Sequence, residues 1–268
     1  MLSRRTFSAM LATGILTSIA PEHGEAGDFA VPQDAGMARN GVGAKNVVLV
    51  HGAYADGSCW LDVIERLQRA GLNATAVQNP LTSLADDAAA TRRILAVQDG
   101  PTVLVGHSWA GMIITEVGSD PIVSALVYIA ARAPDAGEDY TALAAKFPKP
   151  PASAGLVTAN GFAQLSEESF LRDFAPDLPP AKARALYAVQ GRVATTLFAS
   201  KTSAAAWRVK PSWYAISTQD RTISPELQRF MANRMKATTI ELASSHLSLL
   251  SHPQEVADLI VTAAGHKS

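Results

Sequence analysis

The chain has 268 residues, 48% of them hydrophobic, enough to bury a substantial core as one α/β domain with an insertion. Its formal net charge is −1 and its lysines and arginines are scattered, so no basic stripe points to nucleic acid and no acidic tail to a basic partner. The single cysteine, Cys59, excludes an intrachain disulfide, and the six dispersed histidines form no cluster with zinc spacing.

The first segment reads as a targeting sequence. Ser3-Arg4-Arg5-Thr6-Phe7 precedes an apolar run to about Ala20, then Pro21 and small residues near Ala26. The apolar part is too short to span a bilayer, so residues 1–26 are expected to be a cleaved signal peptide. The paired arginines resemble a bacterial twin-arginine signal, although Ser8 and Ala9 stand where Leu-Lys often completes it. The expected destination is the periplasm or the medium, with no stable membrane insertion of the mature protein. A Gly- and Ala-rich linker, about 27–44, leads into the folded part at 45–268.

From there strands and helical patterns alternate. Asn46 to Val50 is a continuous apolar run, as a parallel strand buried on both faces requires. Ser58 to Ala70 follows helical spacing, with Trp60, Ile64 and Leu67 on one face and Gly71 at the end. Ala74 to Gln78 is a second short strand. Ser83 caps a helix to about Gln98, with Asp86 and Asp87 at its positive dipole end. A strand at Thr102 to Val105 runs into a helix at about 109–118, and a further strand covers Ala125–Ala130. Between Pro134 and Pro211 the alternation stops. Prolines break short helical pieces carrying Phe147, Phe162, Phe170, Phe174, Tyr187 and Phe198, which predicts a small, mostly helical insertion. The alternation then resumes with a strand at Ser212–Ser217, a helix from Pro225 to about Met235, a strand at Thr238–Leu242 and a last helix from about Pro253. This predicts a doubly wound, mostly parallel sheet of about six strands, with the ligand site beyond the strands' carboxyl ends.

Gly106-His107-Ser108-Trp109-Ala110 joins a β-branched strand to a helix with a serine at the turn. This is the layout of a nucleophile elbow, whose positive-φ geometry requires small neighbours two residues before and after. Alanine replaces the usual second glycine. A serine hydroxyl needs a histidine to take its proton and a carboxylate to orient and stabilise that imidazole. In the required chain order the candidates are Ser108, then Asp220 in Thr218-Gln219-Asp220-Arg221, then His246 in Ser244-Ser245-His246. Asp135 is the alternative acid; His107 reads as structural and His252 as a helix-start or solvent residue. The Trp109 N–H is expected to stabilise an oxyanion, and its side chain to adjoin the nucleophile and influence substrate choice.

On Val48-Leu49-Val50-His51-Gly52-Ala53, Gly106 to Gly111, Thr218-Gln219-Asp220 and Ser245-His246, the chain resembles the α/β-hydrolase superfamily over about 45–265. The likeness is to the small-lidded group of plant-type hydroxynitrile lyases, salicylate-ester esterases and bacterial esterases. It implies Ser108 as nucleophile, Asp220 as acid, His246 as base, a lid at about 134–211, and Ala53 as the second backbone oxyanion donor. Tyr54 is then expected at the pocket wall. Leu247 stands where the lyases have lysine, and Gly52 where they have a hydroxyl residue, which favours hydrolysis over lyase chemistry. Epoxide and haloalkane hydrolases carry aspartate in place of Ser108 and are disfavoured.

The leading expectation is a serine hydrolase cleaving small-molecule carboxylic esters through an acyl-enzyme, without cofactor or metal and without a nucleic-acid partner. Lactone, amide or perhydrolase chemistry would use the same groups. A small-ligand receptor with vestigial hydrolysis is the alternative that is not an enzyme.

Overall fold

The computed structural model describes residues 43–266; the expected signal peptide and all but the end of the expected linker lie outside them. Six parallel strands form the central sheet: β1 (Asn46–Val50), β2 (Asn73–Val77), β3 (Thr102–His107), β4 (Val123–Ile129), β8 (Ser212–Ser217) and β9 (Thr238–Leu242). Their spatial order is β2-β1-β3-β4-β8-β9. Every residue of β1 and β3 is buried, so both strands are apolar without alternation. The edge strands β2 and β9 are partly exposed and carry Asn73, Thr75, Thr238 and Glu241.

The chain leaves β1 toward one edge and returns to β3 on the other side. That reversal places the intervening helices on opposite faces if each crossover is right-handed. Helix α1 (Leu61–Arg69) packs with α9 (Pro253–Ala263), whereas α2 (Leu84–Leu95) packs with α3 (Ala110–Val117). The reversal also opens a crevice beyond the ends of β1 and β3, where doubly wound sheets bind ligands. His51-Gly52-Ala53 follows β1 and Ser108 follows β3.

Between β4 and β8 lie the short helices α4 (Tyr140–Ala144), α5 (Glu167–Ser169) and α6 (Pro180–Ala188), with a π-helical turn at Phe170–Phe174. They are not alone there. Strands β5 (Leu156–Ala159), β6 (Phe162–Leu165) and β7 (Val193–Ala194) form a separate antiparallel sheet, which the reading of a small, mostly helical insertion did not locate. The β5–β6 turn is Asn160-Gly161, both at positive φ (51° and 78°), the combination a two-residue hairpin turn favours. The proline-rich surroundings and short strand lengths mask that signal. Helix α7 (Pro225–Met235) follows β8, and α8 (Ser248–Ser251) leads into α9.

Candidate active site

Ser108 sits at the turn between β3 and α3 with φ of 54°, the left-handed conformation the sequence pattern requires. The turn is pinned from below. The Ser108 N–H donates to the Ile129 carbonyl at 3.1 Å, and the Ser108 carbonyl accepts from Arg132 N–H at 3.0 Å. A side chain at Gly111 would come within 1.9 Å of the Arg132 carbonyl oxygen, and one at Gly106 within 2.8 Å of that of Ala110. The elbow therefore depends on Gly106 and Gly111, while Ala110 fits as it stands. A Cβ at Gly52 would lie 2.7 Å from that of Ser108, which excludes a hydroxyl residue there without a shift of the turn.

The three residues singled out from sequence meet. His246 Nε2 lies 2.7 Å from Ser108 Oγ, and His246 Nδ1 lies 2.7 Å from Asp220 Oδ2. All three are buried. With Asp220 ionised, the imidazole donates from Nδ1 and accepts the serine proton at Nε2. Asp220 Oδ1 also accepts the N–H groups of Thr222 at 2.7 Å and Ile223 at 3.0 Å, and Oδ2 accepts from Gln228 Nε2 at 2.7 Å. Gln228 Oε1 in turn accepts from Ser217 N–H at 3.0 Å, fixing the amide between β8 and α7. The alternative acid Asp135 instead pairs with Arg208 at the surface.

The base loop is held from two sides. His107 Nε2 donates to the His246 carbonyl at 2.9 Å. Asp177, from the insertion, accepts the Ser245 N–H at 2.9 Å and the Ser245 hydroxyl. Burial pushes the Asp177 carboxyl up, but its bonds from Ser245 outweigh this and hold it below the usual range. His252 is partly exposed and 3.4 Å from Glu255, remote from the serine–histidine chain.

Ala53 and Ser108 share a cavity of about 140 Å³ with Tyr54, Arg132, Leu165, Phe198 and Ile223 among its walls. Among the described residues, neither the Ala53 nor the Trp109 N–H donates to another backbone group. Tyr54 lines the cavity, and burial pushes its phenol up to about 12 against the opposing charge of Arg132. The side chain of Trp109 does not line it. The indole is fully buried, donates from Nε1 to Asp87 Oδ2 at 2.8 Å, and backs the wall through Phe198 at 5.7 Å between ring centroids. A tryptophan immediately after the nucleophile points into the domain because it opens α3, whose inner face packs on the sheet. Of the insertion aromatics, Phe170 packs with Phe174 and Tyr187, whereas Phe198 meets Tyr54 and Trp109 and Phe147 meets Phe230.

Sequence reasoning missed Asp87, Arg132, Asp177 and Gln228. For Gln228 a signal existed: it interrupts the buried face formed by Leu227, Met231 and Met235 in α7. The others are long-range partners with no local pattern. No group of three potential metal ligands occurs among the described residues.

A parallel sheet of this order, with a serine elbow after β3 and a histidine after its last strand, defines the hydrolase class. Residues 47–259 match the model of the Alpha/beta hydrolase family. The chain belongs to that family. It is 25% identical over 242 residues to an alpha/beta hydrolase of Aspergillus novofumigatus, covering 82% of this chain and 96% of that protein. It is 32% identical over 126 residues to a carbendazim-hydrolysing esterase of a Nocardioides species, covering 42% of this chain and 52% of the relative. Among solved structures, a pyrethroid hydrolase from Sphingobium faniae aligns with a TM-score of 0.69 and 21% identity, over 83% of this chain and 98% of that one. No helix among the described residues is long and apolar enough to cross a membrane.

Proposed function

We propose that the protein is a carboxylesterase acting on small-molecule esters through an acyl-enzyme on Ser108. The observation that carries this reading is the continuous buried chain from Ser108 Oγ through His246 to Asp220, opening on a cavity that Ala53 also lines, with neither the Ala53 nor the Trp109 N–H donating to another backbone group. In the first step Ser108 Oγ bonds to the ester carbonyl carbon while its proton passes to His246 Nε2. Asp220 stabilises the imidazolium. The negative oxygen accepts from the Ala53 and Trp109 N–H groups, which are fixed before reaction and need no reorganisation. His246 then gives the proton to the departing alkoxide as the ester C–O bond breaks. Water, deprotonated by His246, attacks the acyl carbon, and breaking the bond to Ser108 releases the acid and restores the serine. Esterase-named relatives support this class, and Leu247, buried beside His246, supplies no cation for a departing cyanide.

The test is hydrolysis of p-nitrophenyl acetate through octanoate by the wild type and Ser108→Ala. Expected is turnover by the wild type and a loss on the order of 10⁴-fold or more in kcat for the variant. Turnover that survives the substitution would place the chemistry elsewhere.

A further inference from the structure

The wall of the cavity beside Ser108 contains a positive charge that the esterase mechanism does not use. Arg132 follows β4, and its backbone is anchored to the elbow through the Ser108 carbonyl and the close passage of Gly111. Its guanidinium carbon lies 4.4 Å from the ring centroid of Phe198, 4.5 Å from that of Tyr140 and 5.5 Å from that of Trp109. Several other arginines pair with acids: Arg234 with Glu138, Arg221 and Arg172 with Asp173, Arg208 with Asp135. Arg132 has no such partner among the described residues; its electrostatic neighbours are the phenols of Tyr140 and Tyr54.

Two residues with unpartnered hydroxyls line a cavity that Arg132 lines as well. A second cavity, of about 110 Å³, shares Arg132, Thr222 and Ile223 with the first and is lined also by Tyr140. The Tyr140 hydroxyl and the Thr222 hydroxyl are both buried without a hydrogen-bond partner. Tyr140 itself is 5% exposed, and burial pushes its phenol up to about 12, so it remains a donor at neutral pH. A partly buried cation and two buried unpaired hydroxyls each cost stability unless an acceptor docks. Stacking on aromatic faces offsets part of the cost for the cation but leaves its N–H donors unused.

We propose that Arg132, with the Tyr140 and Thr222 hydroxyls, binds a carboxylate on the substrate, so that the preferred substrates are esters bearing a carboxylate. The planar fork of an arginine matches the two oxygens of a carboxylate, and its charge persists at all working pH values. Because Arg132 and Ser108 line the same small cavity, a short chain separates the carboxylate from the reacting carbonyl. This rests on the esterase reading for the reaction, though not for the anion site itself.

Two ester series locate the carboxylate. Monoethyl succinate, glutarate and adipate carry it on the acyl side and are compared with ethyl butanoate, pentanoate and hexanoate. Acetoxypropanoate and acetoxybutanoate carry it on the alcohol side and are compared with propyl and butyl acetate. In at least one series the anionic ester is expected to exceed its neutral counterpart in kcat/KM by tenfold or more. Arg132→Met should lower that anionic-to-neutral ratio by about ten- to a hundredfold, and Tyr140→Phe by a few-fold. Neutral esters preferred by the wild type, or a ratio unmoved in both variants, would overturn the proposal while leaving the esterase reading intact. Glutarate binding, measured by calorimetry on the wild type, covers the case of no ester turnover. Saturable binding that Arg132→Met abolishes supports the anion site and places the failure in the esterase reading; absence of binding removes the site as well.

Discussion

Two regions meet at Ser108 and are held together by different forces. The parallel sheet supplies the reacting groups from strand ends, over a core in which Val47 to Val50 and Val103 to Val105 are wholly buried. The segment between β4 and β8 supplies the opposite cavity wall, yet its hairpin leaves Leu156, Val157 and Phe162 exposed. Ion pairs lie along that segment instead, including Asp173 between Arg172 and Arg221 and Lys182 reaching Asp62. The sheet side fixes distances, whereas the insertion decides what reaches them. Changes behind the sheet should therefore act on kcat, and changes in the insertion on choice of substrate.

The sharpest test of that division is Asp220→Asn. The carboxylate receives four hydrogen bonds, from Thr222, Ile223, Gln228 and His246. The N–H groups of Thr222 and Ile223 require an oxygen at the Oδ1 position, so the amide nitrogen falls at Oδ2, where it loses the bond from Gln228 and presents an N–H to His246 Nδ1, holding the imidazole in the wrong tautomer. A fall of about 10⁴-fold in kcat is expected, with the folding temperature little changed. A loss confined to KM would break the assignment of chemistry to the sheet side.

One residue crosses the division. Asp177 lies in the insertion but holds Ser245, the neighbour of the base, through its N–H and hydroxyl. Asp177→Ala should let the His246 loop drift and lower kcat roughly ten- to a hundredfold, the scale of small misplacements of a catalytic group. Asp177→Asn retains acceptor oxygen and should recover part of it. If kcat is unmoved while substrate preference changes, Asp177 belongs to the wall with its neighbours.

The same contrast explains what could be read from sequence. Parallel strands buried on both faces announce themselves as unbroken apolar runs, and β8, α7 and β9 begin and end where periodicity, proline and capping place them. Ser108, Asp220 and His246 are legible because each lies in the turn or loop that follows a strand of the parallel sheet. The insertion is short elements in proline-rich chain, where no run is long enough to fix a period. Its hairpin was marked only by Asn160-Gly161. Arg132 and Asp177 acquire meaning from partners distant in sequence, which no local pattern encodes. Trp109 was misplaced for a related reason: adjacency in sequence to the nucleophile does not set the direction of a side chain at the start of a helix.

The smallest predicted effect separates the two regions by acid sensitivity. Behind the sheet, burial lowers both His51 and His107 below the ordinary histidine value of 6.5, His107 well below it. Each therefore stays neutral in the folded protein when the same side chain in the unfolded chain binds a proton. The unfolded state then takes up more protons, and stability declines as pH drops from about 6.5, by at most about 1.4 kcal/mol per pH unit for each histidine. In the insertion, burial raises the Asp173 carboxyl, but hydrogen bonds from Arg172 and Arg221 outweigh it and hold it below the usual range. Its contribution is complete above about pH 4 and is lost only below that, as the folded group protonates. Urea unfolding across this range should show His107→Gln with a shallower pH dependence just below about 6.5, and Asp173→Asn with a shallower one only below about 4. An unaltered slope in His107→Gln would mean that the imidazole takes up its proton equally in the folded and unfolded states, and the burial argued to lower it would not govern its titration.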